Sequence, residues 1–159
     1  VEPLRKISDH TIDTSNLNVP NLNKTLTSYF SQDIDLKLNL RIVSFGYKYG
    51  IPREADIVLD MRFIKNPFYV KKLKKLTGKD SEVIDYIYGQ KSFRVFYENF
   101  FKLQKLTLPM FFAEGKKYVT IAFGCTGGIH RSVMMADKFY NEISSKDIET
   151  FIDHRDLKK

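Results

Sequence analysis

Eight residues concentrate the chemistry of this chain: Cys125-Thr-Gly-Gly-Ile-His-Arg-Ser132. They follow an apolar run, Val119 to Phe123, and precede Val133-Met-Met, which predicts a strand, a glycine-hinged turn and a helix start. Such a turn suits an anion. Gly127 and Gly128 can take the positive φ that lets successive N–H groups converge on one point. The helix adds its free N–H groups and the positive end of its dipole. Arg131 can fork onto two oxygens of a phosphate, and Thr126 and Ser132 supply hydroxyls. The expectation is a phosphate or carboxylate site.

The same stretch spells Cys, five residues, Arg, Ser, the loop of cysteine-dependent phosphatases. There a thiolate attacks phosphorus while Arg holds the other oxygens, and the dipole and Arg131 would stabilise that thiolate. Catalysis by Cys125 and Arg131 is therefore the alternative reading. It also needs a carboxylic acid over the leaving group, for which the sequence offers Asp60 and Asp153 without singling out either. A lone cysteine beside an apolar strand more often packs as a small residue, so the non-catalytic reading is preferred.

Elements that position the loop must come from a chain of 159 residues, a length that fits one domain with a real core. The first residue is Val, which points to a fragment with an N-terminal partner domain outside it. No run of about 18 apolar residues suggests a membrane span. A single cysteine allows no internal disulfide and fits a reducing, cytoplasmic compartment. His10, His130 and His154 are far apart in sequence, so no metal site is expected, and nothing calls for a cofactor. The net charge of +7 asks for an anionic partner. Lys71, Lys72, Lys74 and Lys75, beside Tyr69, form the densest basic cluster, with Lys116–Lys117 and Lys158–Lys159 as smaller ones. A nucleic acid would be met by such a surface; a solvated lysine face gives the same count.

Along the chain, residues 11–15 read as a short strand running into a cap at Thr14 or Ser15, and Leu22 to Phe30 shows helical spacing. Strands are expected at Leu38–Phe45, Ala55–Phe63, Tyr118–Phe123 and Glu149–Asp153. Residues 68–76 suggest a basic helical turn, Thr77–Asp80 a loop and Glu82–Tyr88 a short helix. Ser92 is expected to cap a longer helix with Phe93, Phe96, Phe100 and Leu103 on its buried stripe, bent or ended at Pro109 before Gly115. Ile129–Ile143 completes the helices. Strands alternating with helices imply an α/β fold with a mostly parallel sheet, covered on both faces.

Ligands of such sheets sit at the carboxyl ends of the strands. The first strand ends at Ser44, Gly46 and Lys48. The second ends at Asp60, Arg62 and Asn66, with Asp60 and Arg62 on one face. The third ends in the Cys125–Ser132 loop and the last at His154 and Arg155. Together they describe one anion pocket rimmed by an acid, although Asp60 and Arg62 can equally pair with each other.

These stretches resemble the carboxy-terminal domain of the RapZ/YvcJ family, which follows an N-terminal P-loop nucleotide-binding domain. The resemblance rests on Ser44-Phe-Gly-Tyr-Lys-Tyr-Gly-Ile-Pro52, Ala55-Asp-Ile-Val-Leu-Asp-Met-Arg-Phe63, Asn66-Pro67, Leu76-Thr-Gly-Lys-Asp80, Gly124-Cys-Thr-Gly-Gly-Ile-His-Arg-Ser-Val133 and His154-Arg-Asp156. It makes residues 1–35 the tail of the P-loop domain and its linker, and 36–159 the carboxy-terminal domain. No Gly-x-x-x-x-Gly-Lys-Ser/Thr motif is present in this sequence, so the family's nucleotide hydrolysis lies elsewhere. The resemblance implies a sugar-phosphate type of pocket whose ligand is glucosamine-6-phosphate or UDP-N-acetylglucosamine. It also implies a small-RNA partner, for which the basic clusters of Lys71, Lys72, Lys74, Lys75, Lys158 and Lys159 offer a permissive surface, and assembly into a homo-oligomer. Within this frame, residues 126–132 hold phosphate, with Arg131 carrying the largest share. His130 and His154 add charge below neutral pH, Asp60 meets an amino group or hydroxyl, and Lys48 and Arg62 meet a second anionic group.

Overall fold

The computed structural model describes residues 37–143 and 145–159, together with Ile12, Thr14, Asn18, Val19, Leu22 and Leu26. The chain divides into two units, Val1–Leu36 and Lys37–Lys159. Of the strand and cap expected at 11–15 only Ile12 and Thr14 are described, both without regular structure, and most of the helix expected at 22–30 falls outside the described residues; Val19, Leu22 and Leu26 are helical.

The second unit runs β1 (Leu38–Gly46), a 3-10 turn (Tyr47–Tyr49), β2 (Ile57–Asp60), a second 3-10 turn (Pro67–Tyr69), α1 (Ser81–Tyr88), α2 (Lys91–Ala113), β3 (Tyr118–Cys125), α3 (Arg131–Ile143) and β4 (Ile148–His154). All four strands are parallel, in the order β2-β3-β1-β4. The fold is α/β, as expected.

Connection direction decides where the helices go. Both β2 to β3, through α1 and α2, and β3 to β4, through α3, step the same way across the sheet. Right-handed crossovers therefore put all three helices on one face. Leu38, Leu40 and Ile42 of β1 alternate inward with Val119, Ile121 and Phe123 of β3, and form one core with Val83 and Ile87 of α1, Phe93 and Phe100 of α2, and Met135 and Phe139 of α3. Phe100, Phe123 and Phe139 meet edge to face at 5.0–5.8 Å between ring centres. The return step from β1 to β2 carries only a 3-10 turn and an irregular loop. Tyr47 and Ala55 from that loop cover Val43, Phe45 and Ala122.

The expectation of a sheet covered on both faces is thereby corrected among the described residues: Tyr118 (72% exposed) and Phe151 (49%) stand open on the second face. Arg41 pairs there with Glu54 and Asp153, but the three side chains are nearly half exposed, so these pairs add little stability.

Local departures have local causes. The second strand is four residues long, because only Ile57–Asp60 pair with β3. The helix α2 starts at Lys91 with Gln90 in the cap position, so Ser92 lies inside it. Its buried stripe is Phe93, Tyr97, Phe100, Gln104 and Leu108, while Leu103 is 53% exposed; helical spacing from Phe100 fits residue 103 or 104 equally well. The helix continues through Pro109 to Ala113, and the chain turns at Gly115 with φ 90°. Residues 68–76 form the 3-10 turn and further turns instead of one basic helix. The helix α3 begins at Arg131, two residues later than expected, because 129 and 130 belong to the loop.

Candidate functional site

Parallel pairing brings the four strand ends to one level, with Gly46 opposite Cys125, Gly124 opposite Asp60, and Ser44 opposite His154. The loop after β3 is stitched to its neighbours by backbone bonds. Met61 N–H donates to Gly124 O at 2.7 Å, Lys48 N–H to Thr126 O at 3.3 Å, and Gly78 N–H to Ile129 O at 2.9 Å. Gly128 takes φ 77°, the left-handed region that glycine enters without steric cost. Its packing also requires glycine, since a Cβ there would stand 2.7 Å from Gly46 N.

Inside the loop, Cys125 is buried and its Sγ lies 3.1 Å from Ser132 Oγ and 3.3 Å from Gly128 N, whose N–H donates to it. The N–H groups of Gly127, Ile129 and His130 meet no protein acceptor among the described residues, and they sit at the N-terminus of α3. Arg131 is only 4% exposed. Its Nη1 donates to Arg62 O at 3.1 Å and Ile64 O at 2.9 Å, and its Nη2 to Thr126 Oγ1 at 3.2 Å. The buried Nε meets no acceptor among the described residues. The guanidinium thus ties the turn after β2 to the loop after β3, with one donor to spare.

Around this centre the other expected residues fall at different distances from the loop. Asp60 and Arg62 pair with each other through contacts of 2.6–3.0 Å, and Arg62 lies 4.0 Å over the Tyr47 ring. Hydrogen bonding from Arg62 holds the Asp60 carboxyl below the usual carboxylate range, and the charge of Arg131 acts the same way. Lys48 is exposed, with Nζ 4.7 Å from the Tyr49 ring. Asn66 caps the second 3-10 turn by accepting from Phe68 N–H. His154 Nδ1 lies 2.8 Å from Ser44 Oγ, and its Nε2 lies 3.1 Å from Asp137 Oδ1. Arg155 donates to Asp156 and to Gly50 O, and Lys159 also donates to Asp156. The turn carrying Lys71, Lys72, Lys74 and Lys75 is anchored by buried Leu73, whose carbonyl lies 3.3 Å from His130 Nε2. A groove of about 700 Å³ along α2 is mostly apolar, lined by Leu59, Val95, Phe96, Phe100 and Leu103, with Lys91, Ser92 and Asn99 as its polar residues.

His130 is buried. Burial lowers its pKa, against the opposing pull of the Leu73 and Leu76 carbonyls and Asp80, which works against the charge expected of it below neutral pH. A carbonyl only accepts, so Nε2 carries the proton toward Leu73 O. Because the folded pKa is depressed, the unfolded chain takes up a proton that the folded chain resists as pH falls below about 6.5. The domain should therefore lose stability between pH 7.5 and 5.5, and His130→Gln should shrink that loss. Urea unfolding at the two pH values measures both.

A family model described as the RapZ C-terminal domain matches residues 38–158. The chain belongs to the RapZ C-terminal domain family. It is 41% identical, over its whole length, to a nucleotide-binding protein of Carboxydothermus hydrogenoformans, covering 55% of that protein. A nucleotide-binding protein of Lactiplantibacillus plantarum is 42% identical over 99% of the chain and 53% of the relative. One of Endomicrobium trichonymphae is 47% identical over 95% of the chain and 53% of the relative. The chain thus spans about half the length of the curated relatives it matches. Among its described residues, no helix of this RapZ-family domain is long and apolar enough to cross a membrane.

Three residues of the site escaped the sequence reading. Asp156 was visible only as part of His154-Arg-Asp156, Asp137 as one more charge on α3, and Gly78 as a loop glycine. Each acts across the fold, and no local spacing marks it.

Proposed function

We propose that this chain is a non-catalytic, metabolite-sensing domain whose 126–132 loop binds the phosphate of an amino-sugar phosphate or a UDP-amino sugar. The observation that supports this most is one convergence. Loop N–H groups without protein acceptors among the described residues and the positive end of α3 belong to the same turn, which the buried Arg131 braces. Helix N-termini of this kind favour anions. Thr126, exposed at the loop tip, supplies a hydroxyl, and Lys48 and Arg62 lie beside it for a second anionic group. Asp60 serves a sugar hydroxyl or amine. The lysines of the 70–75 turn extend the basic surface beside the loop, which fits a small-RNA partner. The P-loop domain of the longer family members and further copies of the chain complete the proposed assembly, in the cytoplasm.

Calorimetric titration with glucosamine-6-phosphate and with UDP-N-acetylglucosamine tests the reading. One of the two should bind saturably, and Thr126→Ala should weaken it roughly fivefold through loss of a hydrogen bond. No heat with either would remove the amino-sugar reading.

The phosphatase alternative is less well supported. Cys125 is buried beneath Gly128 and Ser132, and most of the Arg131 fork is spent on backbone carbonyls. No turnover of an aryl phosphate is expected; turnover abolished by Cys125→Ser would overturn the non-catalytic assignment.

A further inference from the structure

Asp156 is fully buried, yet it carries a carboxylate beside a loop read here as an anion site. That carboxylate accepts from Gly46 N–H at 2.8 Å, Arg155 Nε and Nη2 at 3.1 and 2.7 Å, and Lys159 Nζ at 2.8 Å. Gly128 lies between the two partners of the first bond. A Cβ on Gly128 would stand 2.7 Å from Gly46 N and 3.0 Å from Asp156 Cβ. A Cβ on Gly46 would in turn stand 2.7 Å from the Gly127 carbonyl carbon. The Gly127–Gly128 peptide is therefore wedged between the end of β1 and the segment after β4, and the Asp156–Gly46 bond closes the wedge.

We infer that Asp156 is a positioning residue for the anion loop: it clamps Gly46 against Gly127 and Gly128 and so fixes the directions of the loop N–H groups. The inference rests on the anion-site reading of residues 126–132. Arg155 and Lys159 compensate the buried charge, so the clamp and the basic end of the chain form one unit.

Charge and position predict opposite signs, which makes the inference testable. By charge alone, Asp156→Asn removes a like charge near the ligand and releases Arg155 and Lys159, so an anion should bind more tightly. By position, Asp156→Asn keeps an amide oxygen for Gly46 N–H but can no longer hold both Arg155 and Lys159, so the wedge loosens and the anion should bind several-fold more weakly, roughly the difference between a charged and a neutral hydrogen bond. Asp156→Glu keeps the charge but displaces it by one methylene, so weaker binding is expected there as well, where charge alone predicts no change.

The probe is inorganic phosphate, titrated calorimetrically into wild type and both variants under conditions where circular dichroism shows them folded. In parallel, amide NMR spectra without phosphate read the Gly127 and Gly128 N–H signals. Weaker binding by either folded variant, with displaced loop amides, upholds the clamp. Equal or tighter binding by both, or unmoved amides, overturns it. If wild type itself binds no phosphate, the anion-site reading fails, and the loop amides alone decide whether Asp156 positions the loop.

Discussion

Replacing Arg131 by alanine will destabilise the domain and abolish the geometry of the Cys125–Ser132 loop together. The guanidinium is 4% exposed and holds Arg62 O, Ile64 O and Thr126 Oγ1. Truncation leaves two carbonyls and a cavity behind, and the loss of charged hydrogen bonds should cost about 3 kcal/mol or more. That corresponds to a fall in Tm on the order of 10 °C for a unit of this size. Arg131→Lys keeps the charge but cannot reproduce a fork aimed at two carbonyls and a hydroxyl, so its Tm should lie nearer to alanine than to wild type. Thermal melts of the three proteins measure this. A melt of Arg131→Ala within 2 °C of wild type, on the order of measurement scatter, would show that the fork does not hold the turn after β2.

Gly78→Ala should have the next largest effect. Gly78 lies against the first turn of α3, where its N–H donates to Ile129 O at 2.9 Å. A Cβ there would stand 2.5 Å from Met134 N, 2.8 Å from Val133 Cβ and closer still to His130 O. Two of these three neighbours are backbone atoms of the structure being positioned, so they cannot swing aside. The segment is also fixed from its other side, because Asp80 Oδ2 accepts from Thr77 N–H at 2.7 Å and Thr77 Oγ1 at 2.9 Å. One added methyl group should therefore cost roughly 3 kcal/mol, the upper range for overpacking. Lys79→Ala, one residue along and exposed, should stay within about 0.5 kcal/mol of wild type. Urea unfolding of both variants checks the contrast, and equal stabilities would contradict the close packing of Gly78 on α3.

What the sequence revealed, and what it hid, follows from the range of the interactions. The apolar runs at 38–45 and 118–123 became β1 and β3 because each is set by its own residues, and the Cys125–Ser132 turn was legible because glycines, hydroxyls and Arg131 lie within eight positions. Strand order was not legible, and with it went the distribution of helices over the two faces. A sequence lists which strands exist without saying that β3 pairs with both β1 and β2. Arg131 shows the same limit on a smaller scale. An arginine at a helix start can fork onto a ligand or onto carbonyls 69 and 67 residues away, and its immediate neighbours are the same in both cases. The Asp156–Gly46 bond joins positions 110 apart, and the burial that lowers the His130 pKa exists only once the chain is folded around it. Charged and polar residues marked out the candidate site; burial decided which of them remain exposed.

The most direct test of the central claim is an amide NMR titration of the chain with glucosamine-6-phosphate. If the loop after β3 holds the phosphate, the N–H signals of Gly127, Gly128, Ile129 and His130 will shift saturably, while those of α2 and the open face of the sheet stay in place. Saturable shifts confined to Lys71–Lys75 or to the open face, or no saturable shift at all, would contradict it.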